Sequence, residues 1–476
     1  MQAISQPATP SSMTFPEAPT RRIADYASGI AYADLPADVT HRVKLTLVDT
    51  IGVTLAAGAS PLGRKVAQAA RALGPGEQCT VFARGGPASA SGAAMANGAM
   101  SDLLEWQDGW RFGGLHPSLV MATALAVGEA KHSDGHALIA AIIAGYEVAN
   151  RVAATAHPAH MARGFMPNGT AGSVGSAACA AHLLGLDGER TANALGTAAF
   201  LLPVSTAENL WCGYSIKSFH TGYAARMGVE AALLAEAGFD ACPVEGSSER
   251  GRGFMEVMTG QMPDFTSMTR GLGDDYTIRQ SYFKFFPACR LGHGAIEAAL
   301  LLANRANARP VADIERVEVR IYDHAANLLN RYLDTDATMA AALYSLPYNI
   351  STALMDKQYT LAQLDEAHRA DPAVAALARR VSIVSDASMT RRYPDTTPAE
   401  VVITYRDGES IRHLQELPPG DPRRDMSDGA IFDKFDALAT PVLGARRTLK
   451  LCEQLMSIDE CCDIGAVLTA MRPSLD

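Results

Sequence analysis

A chain of 476 residues, 48% of them hydrophobic, can bury a large core and is too long for one ordinary domain, so two domains are expected. Charged residues are only 19% of the whole, which excludes the disordered and highly charged scaffold classes. The net charge of −10 comes without a basic stripe or a Lys/Arg run, so nucleic-acid binding is disfavoured, although a local pocket can still hold an anion.

Residues 1–20 are rich in Pro, Ser and Thr, lack the basic-then-apolar order of a secretory leader, and read as a disordered tail. Helical spacing then dominates residues 21–274. In the segment around Val43, Leu47, Val48 and Ile51 the apolar positions recur with helical period, and Asp38 is the expected N-cap. Further helices are expected over Ala88–Leu104, Ser118–Lys131, Gly135–Ala156, Thr170–Leu186, Asp187–Leu201, Ser218–Ala237 and Ser248–Thr259. Many of them are Ala- and Gly-rich on several faces, which suits closely packed buried helices. The longest uncharged stretches, such as residues 191–207, carry Asn, Pro, Ser and Thr and read as buried helices, with no membrane span.

Near residue 280 the character changes. Ile314–Tyr322 alternates apolar and polar residues like a half-buried strand, and Glu400–Tyr405 runs through Asp407-Gly408 into Ile411–Leu414 as a hairpin. Val381–Val384 offers another strand, with helical pattern at Glu297–Arg305 and Thr338–Met355. Residues 275–418 therefore form an α+β unit. After the Pro-rich linker at Leu417–Pro422 the helical pattern returns over residues 427–471, so residues 419–476 are expected to pack back on the first domain. The fold class is mainly α: a large all-helical domain built from both chain ends plus a smaller α+β lid.

None of the eight cysteines forms a C-x-x-C pair; no zinc site or disulfide framework is indicated, and a reducing cytoplasm is the simplest reading. Polar residues gather in five places. His116 ends a Gly-rich loop just before a helix, either facing a cleft or making ordinary helix-end hydrogen bonds. The segment Arg163–Thr170 supplies main-chain N–H groups that could hold a carboxylate, or else small residues for close helix packing. Lys217 and His220 lie three apart at a helix start, and a lysine leading a buried helix is either salt-bridged or catalytic. Lys284, Cys289, Arg290 and His293 form an anion cradle or a solvated domain junction. A lone Tyr348 is more often core than catalyst.

In this order the segments resemble the MmgE/PrpD family from about Ile23 to Leu438. The motifs include Leu47–Val53, Asn97-Gly98-Ala99, His116-Pro117-Ser118, Arg163-Gly164-Phe165, Lys217–Gly222, Lys284–His293 and Ser345–Tyr348. The resemblance implies a homodimer with a cleft between helical domain and lid. It implies no metal or organic cofactor, and a small carboxylate substrate. Activities in that family include 2-methylcitrate dehydration, cis-aconitate decarboxylation and iminodisuccinate epimerisation, which share proton transfer at carbon beside a carboxylate. Carried over by position, His116, Lys217, Tyr348 and Asp108 are the catalytic candidates. Lys284, Cys289 and Glu105 carry over as substrate-binding candidates, and Arg290, Met166 and His220, from the same polar segments, are added to them. The chain departs from the cis-aconitate decarboxylase pattern where the usual Asp-Phe-Asp-Asp reads Glu105-Trp106-Gln107-Asp108, and where Gly109, Met166 and Cys289 replace Thr, His and His. These losses imply a substrate with fewer carboxylates or a more apolar body, and a dehydratase-like lyase is favoured over a decarboxylase. An isomerase and a catalytically altered binding homologue remain as alternatives.

Overall fold

The computed structural model describes residues 18–83, 86–111, 115–246, 252–305, 308–334, 336–424 and 426–472. Residues 1–17 of the expected tail and 248–251 of the helix expected over Ser248–Thr259 lie outside the described residues; the helix is seen from Phe254 to Thr259.

The Ala- and Gly-rich segments form helices at Ala37–Ala59, Ala90–Asp102, Ser118–Ala130, Gly135–Ala156, Ala171–Leu183, Gly188–Leu201 and Phe219–Glu236. Small side chains let these helices bury nearly every face, so they show little amphipathic contrast. Gly135–Ala156 is long and apolar enough to cross a membrane, but 89% of its most apolar window is buried by neighbouring helices. Asp134 caps it, accepting from the Ala137 N–H. Asp38 is not the N-cap of its helix. Pro36 takes that position, and Asp38 lies within the first turn, where it binds Arg279 at 2.7 Å.

Two apolar cores follow. The first joins Ile23, Val48, Ile142, Val174 and Val229 to Ile431, Leu438 and Leu468 from the far end of the chain, so the helical body is built from both ends. The second gathers Ile296, Val319, Leu346 and Val401 of the α+β unit, and takes in Met166, Ala207 and Leu210 from the helical side. The lid is thus packed against the 166–210 edge of the body. The four-stranded sheet runs in the order Val381–Ser385, Ile314–Ile321, Ala399–Tyr405, Ser410–Gln415. Val317 lies opposite Val381 in the parallel pair and opposite Ile403 in the antiparallel one. The helical run expected over Thr338–Met355 is broken into Met339–Ala342 and Leu346–Asp356. Ser345 caps the second piece and Pro347 lies in its first turn, where its missing N–H costs nothing.

The C-terminal helix Asp428–Leu443 lies on Ala37–Ala59. From it Lys434, buried, donates to Asp49 at 2.6 Å and to the main-chain carbonyls of Trp106 (2.6 Å) and Lys284 (2.8 Å).

Candidate active site

Three local devices bring charged side chains to one place. The helix Ala90–Asp102 ends at an acid, and three residues further Glu105 adopts φ 50°, a left-handed backbone that is costly for any residue with a Cβ. The turn aims the carboxylates of Asp102 and Glu105 at the same region. The helix Phe219–Glu236 then crosses the first one at glycine: a Cβ on Gly222 would stand 2.5 Å from the Met95 carbonyl oxygen, and one on Gly98 3.2 Å from the Gly222 Cα. That close approach brings Lys217 and His220 over Asp102. Finally Gly109–Trp110 pairs antiparallel with Ser281–Tyr282, tying the loop after Glu105 to the segment carrying Lys284. A Cβ on Gly109 would meet the Tyr282 hydroxyl at 2.3 Å, which explains the absence of a side chain there.

The result is a buried ionic cluster. Lys217 Nζ lies 2.8 Å from Asp102 and also donates to Glu105. Lys284 Nζ donates to the other Glu105 oxygen at 2.5 Å, and the Tyr344 hydroxyl donates to Glu105 at 2.5 Å from the lid. Asp102 also meets His220 Nε2 at 3.1 Å, His116 Nδ1 at 3.3 Å and the Gln107 amide. Gln107 Nε2 is 3.0 Å from His116 Nδ1; Asn168 accepts from the His116 main-chain N–H at 3.4 Å and lies 3.3 Å from His220 Nε2. A cleft of about 330 Å³, open mouth included, lies over Asp102, Glu105, Lys217 and Tyr344.

Burial alone would raise both acids and lower the lysine, but the partners win. Lys217 and then the imidazoles hold Asp102 well below the usual carboxylate range; Lys217 and Lys284 do the same for Glu105. Asp102 and Glu105 in turn hold Lys217 above its ordinary value. His116 goes the other way: burial, then the Lys284 charge, lowers it to about 4, so at neutral pH it is an uncharged base. Asp102, Glu105 and His116 offer ligand atoms within 4.8 Å of one another, the spacing of a metal site. Both carboxylates already carry lysine ammonium groups, so a cation there would have to displace them.

Of the residues singled out from sequence, His116, Lys217, Lys284, Glu105 and His220 meet in this cluster. Cys289 stands beside it, half-buried; burial and then the Glu105 charge push its thiol to about 11. Met166 packs in the lid-facing core beside Leu210. Three expectations about position need correction. Tyr348 does not reach the cluster: its hydroxyl donates to the Gln363 carbonyl inside the lid, because the helix break at Ser345 turns it away. Asp108 does not orient His116; it accepts from Tyr146 at 3.0 Å, and burial with the nearby Asp49 charge raises it to about 7. Arg290 is committed elsewhere, donating to the Pro419 carbonyl at 3.0 Å, stacking over Tyr282 at 4.4 Å and lying 3.7 Å from Asp421.

Asp102, Gln107, Asn168 and Tyr344 were not singled out. Helical spacing of Asp102 and Glu105, three apart at a helix end, was the available signal for the first. Tyr344 carries no such signal, since only the break before Pro347 decides which tyrosine faces the cleft.

The model of the MmgE/PrpD N-terminal domain matches residues 21–266, and that of the MmgE/PrpD C-terminal domain matches residues 286–457. Cis-aconitate decarboxylase of Aspergillus terreus is 27% identical over 477 residues, spanning 95% of this chain and 96% of that protein. The protein of the same name from Homo sapiens is 25% identical over 479 residues, with 95% of each chain covered. The 2-methylcitrate dehydratase of Cupriavidus necator is 26% identical over 434 residues, 83% of each chain. With both domain models matched over most of its length, this chain belongs to the MmgE/PrpD family.

Proposed function

We propose that the protein is a lyase, a hydro-lyase that removes water from a small polycarboxylate without a metal or organic cofactor. The observation that carries this reading is the buried cluster in which Lys217 and Lys284 flank an uncharged His116 below a cleft. The relatives named as a decarboxylase and a dehydratase are both lyases, which supports the class.

The lysines hold a substrate carboxylate and stabilise the charge that grows on it as the neighbouring C–H bond breaks. His116 takes that proton. The C–H electron pair becomes the new C=C bond, the C–O bond to the β-hydroxyl breaks with its pair, and the departing oxygen receives the proton and leaves as water. Tyr344, on the lid side, hydrogen-bonds that oxygen; Asp102 and Gln107 hold the His116 ring.

Substituting His116→Ala lowers kcat by about a hundredfold or more. In the wild type, kcat/KM rises with pH through about 4, because protonation below that value removes the base. An unchanged rate in the variant, measured by absorbance of the unsaturated product, would sink the assignment. A second reading has its own support: His116 and His220 both contact Asp102, an arrangement that also suits a two-base isomerase. Incubation in deuterated water separates the two, since an isomerase returns labelled compound of substrate mass and no alkene.

A further inference from the structure

We propose that the substrate is a 2-hydroxy dicarboxylate bearing an uncharged alkyl arm, which lies along the cleft wall where a tricarboxylate would carry its third acid. This rests on the lyase reading above and names its substrate class.

Charge is the first argument. The ammonium group of Lys217, which lines the cleft, and that of Lys284, which is fully buried, face the two carboxylates of Asp102 and Glu105, so the cluster is balanced before any ligand enters. Each lysine keeps donor capacity: Lys217 spends two N–H groups on the acids and Lys284 one. A substrate carboxylate can share the remaining Lys217 donor at the cleft, but each added negative charge also meets Asp102 and Glu105. Among the described residues lining the cleft, Lys217 is the one basic side chain. Arg290, the remaining cation of this segment, is spent on Pro419, Asp421 and Tyr282. A third carboxylate therefore has no counter-charge to meet.

The wall is the second argument. Leu62, Leu103, Leu210, Met339 and Leu343 line it, from the body and from the lid. Each methylene moved from water onto such a wall favours binding by about fourfold.

The test compares malate, 2-methylmalate, 2-propylmalate and citrate, which is malate with a carboxymethyl arm, as substrates of the full-length protein. Expected is a kcat/KM that climbs from methyl to propyl, with citrate at least about tenfold below 2-propylmalate. Met339→Lys, at a half-buried wall position outside the ionic cluster, should shift the ratio toward citrate by about tenfold. Turnover with citrate equal to or better than 2-propylmalate overturns the inference and leaves the lyase reading standing. If no acid turns over, calorimetric affinities for the same four acids decide. Tighter 2-propylmalate binding then sinks only the lyase reading, whereas equal affinities, citrate preference or no binding sink both.

Discussion

At the scale of single residues, the cluster assigns its work by burial and partner. His116 and His220 touch the same carboxylate, and burial, then the Lys284 charge, keeps His116 uncharged. The two lid tyrosines differ by where their hydroxyls point. Tyr344 donates to Glu105 and Tyr348 to the Gln363 carbonyl. Replacing Tyr344 by Phe should therefore lower kcat by tenfold or more, and losing its buried hydrogen bond to a charged group should also cost about 1.5–3 kcal/mol of stability. Tyr348→Phe should lower stability by about 1 kcal/mol, the cost of one buried hydrogen bond, but leave kcat near wild type. Steady-state kinetics and thermal melts of the two variants check this, and the opposite pattern would return Tyr348 to the mechanism. Sequence reading reached Lys217, Lys284, Glu105, His116 and His220 because their types and order carry the family pattern. It missed Asp102, an acid within a helix whose importance comes from a crossing neighbour 118 residues away.

At the scale of elements, the closeness of two helices decides the site. The helices Ala90–Asp102 and Phe219–Glu236 approach through Gly98 and Gly222, and no other residue fits at Gly222 without moving the Met95 carbonyl. Gly222→Ala must push the helices apart, separating Asp102 from Lys217 and His220. The expected outcome is a folded protein with at least tenfold lower kcat/KM; wild-type kinetics in that variant would show that the crossing distance is unimportant. Most helices were legible from apolar spacing, as Gly135–Ala156 was at both ends. Boundaries failed where competing chemistry intervened: Pro36 displaced Asp38 from the cap, and Ser345 with Pro347 split an otherwise continuous helical pattern. Strands were legible where one face is buried, as in Ile314–Ile321. The two-residue pair Gly109–Trp110 with Ser281–Tyr282 was not, because so short a ladder has no periodicity to read.

At the scale of the whole molecule, the return of the C-terminus was visible as a resumption of helical pattern after the Pro-rich linker, but its purpose was not. Lys434 binds Asp49 and the carbonyls flanking the cluster residues, Trp106 next to Glu105 and Lys284 itself. Lys434→Met leaves the buried Asp49 charge unpaired and should cost about 3–5 kcal/mol. Adding Asp49→Asn should recover much of that loss, which denaturant titration of the single and double variants will show. A double variant no more stable than the single one would place the importance of Lys434 in its carbonyl contacts alone.

The Lys434 contacts also bear on synthesis. A ribosome will have made every side chain that lines the crevice before it makes the one that draws the two supporting loops together. A nascent polypeptide, or one clipped ahead of that lysine, would hold all the reacting groups and still lack the clasp that sets their spacing.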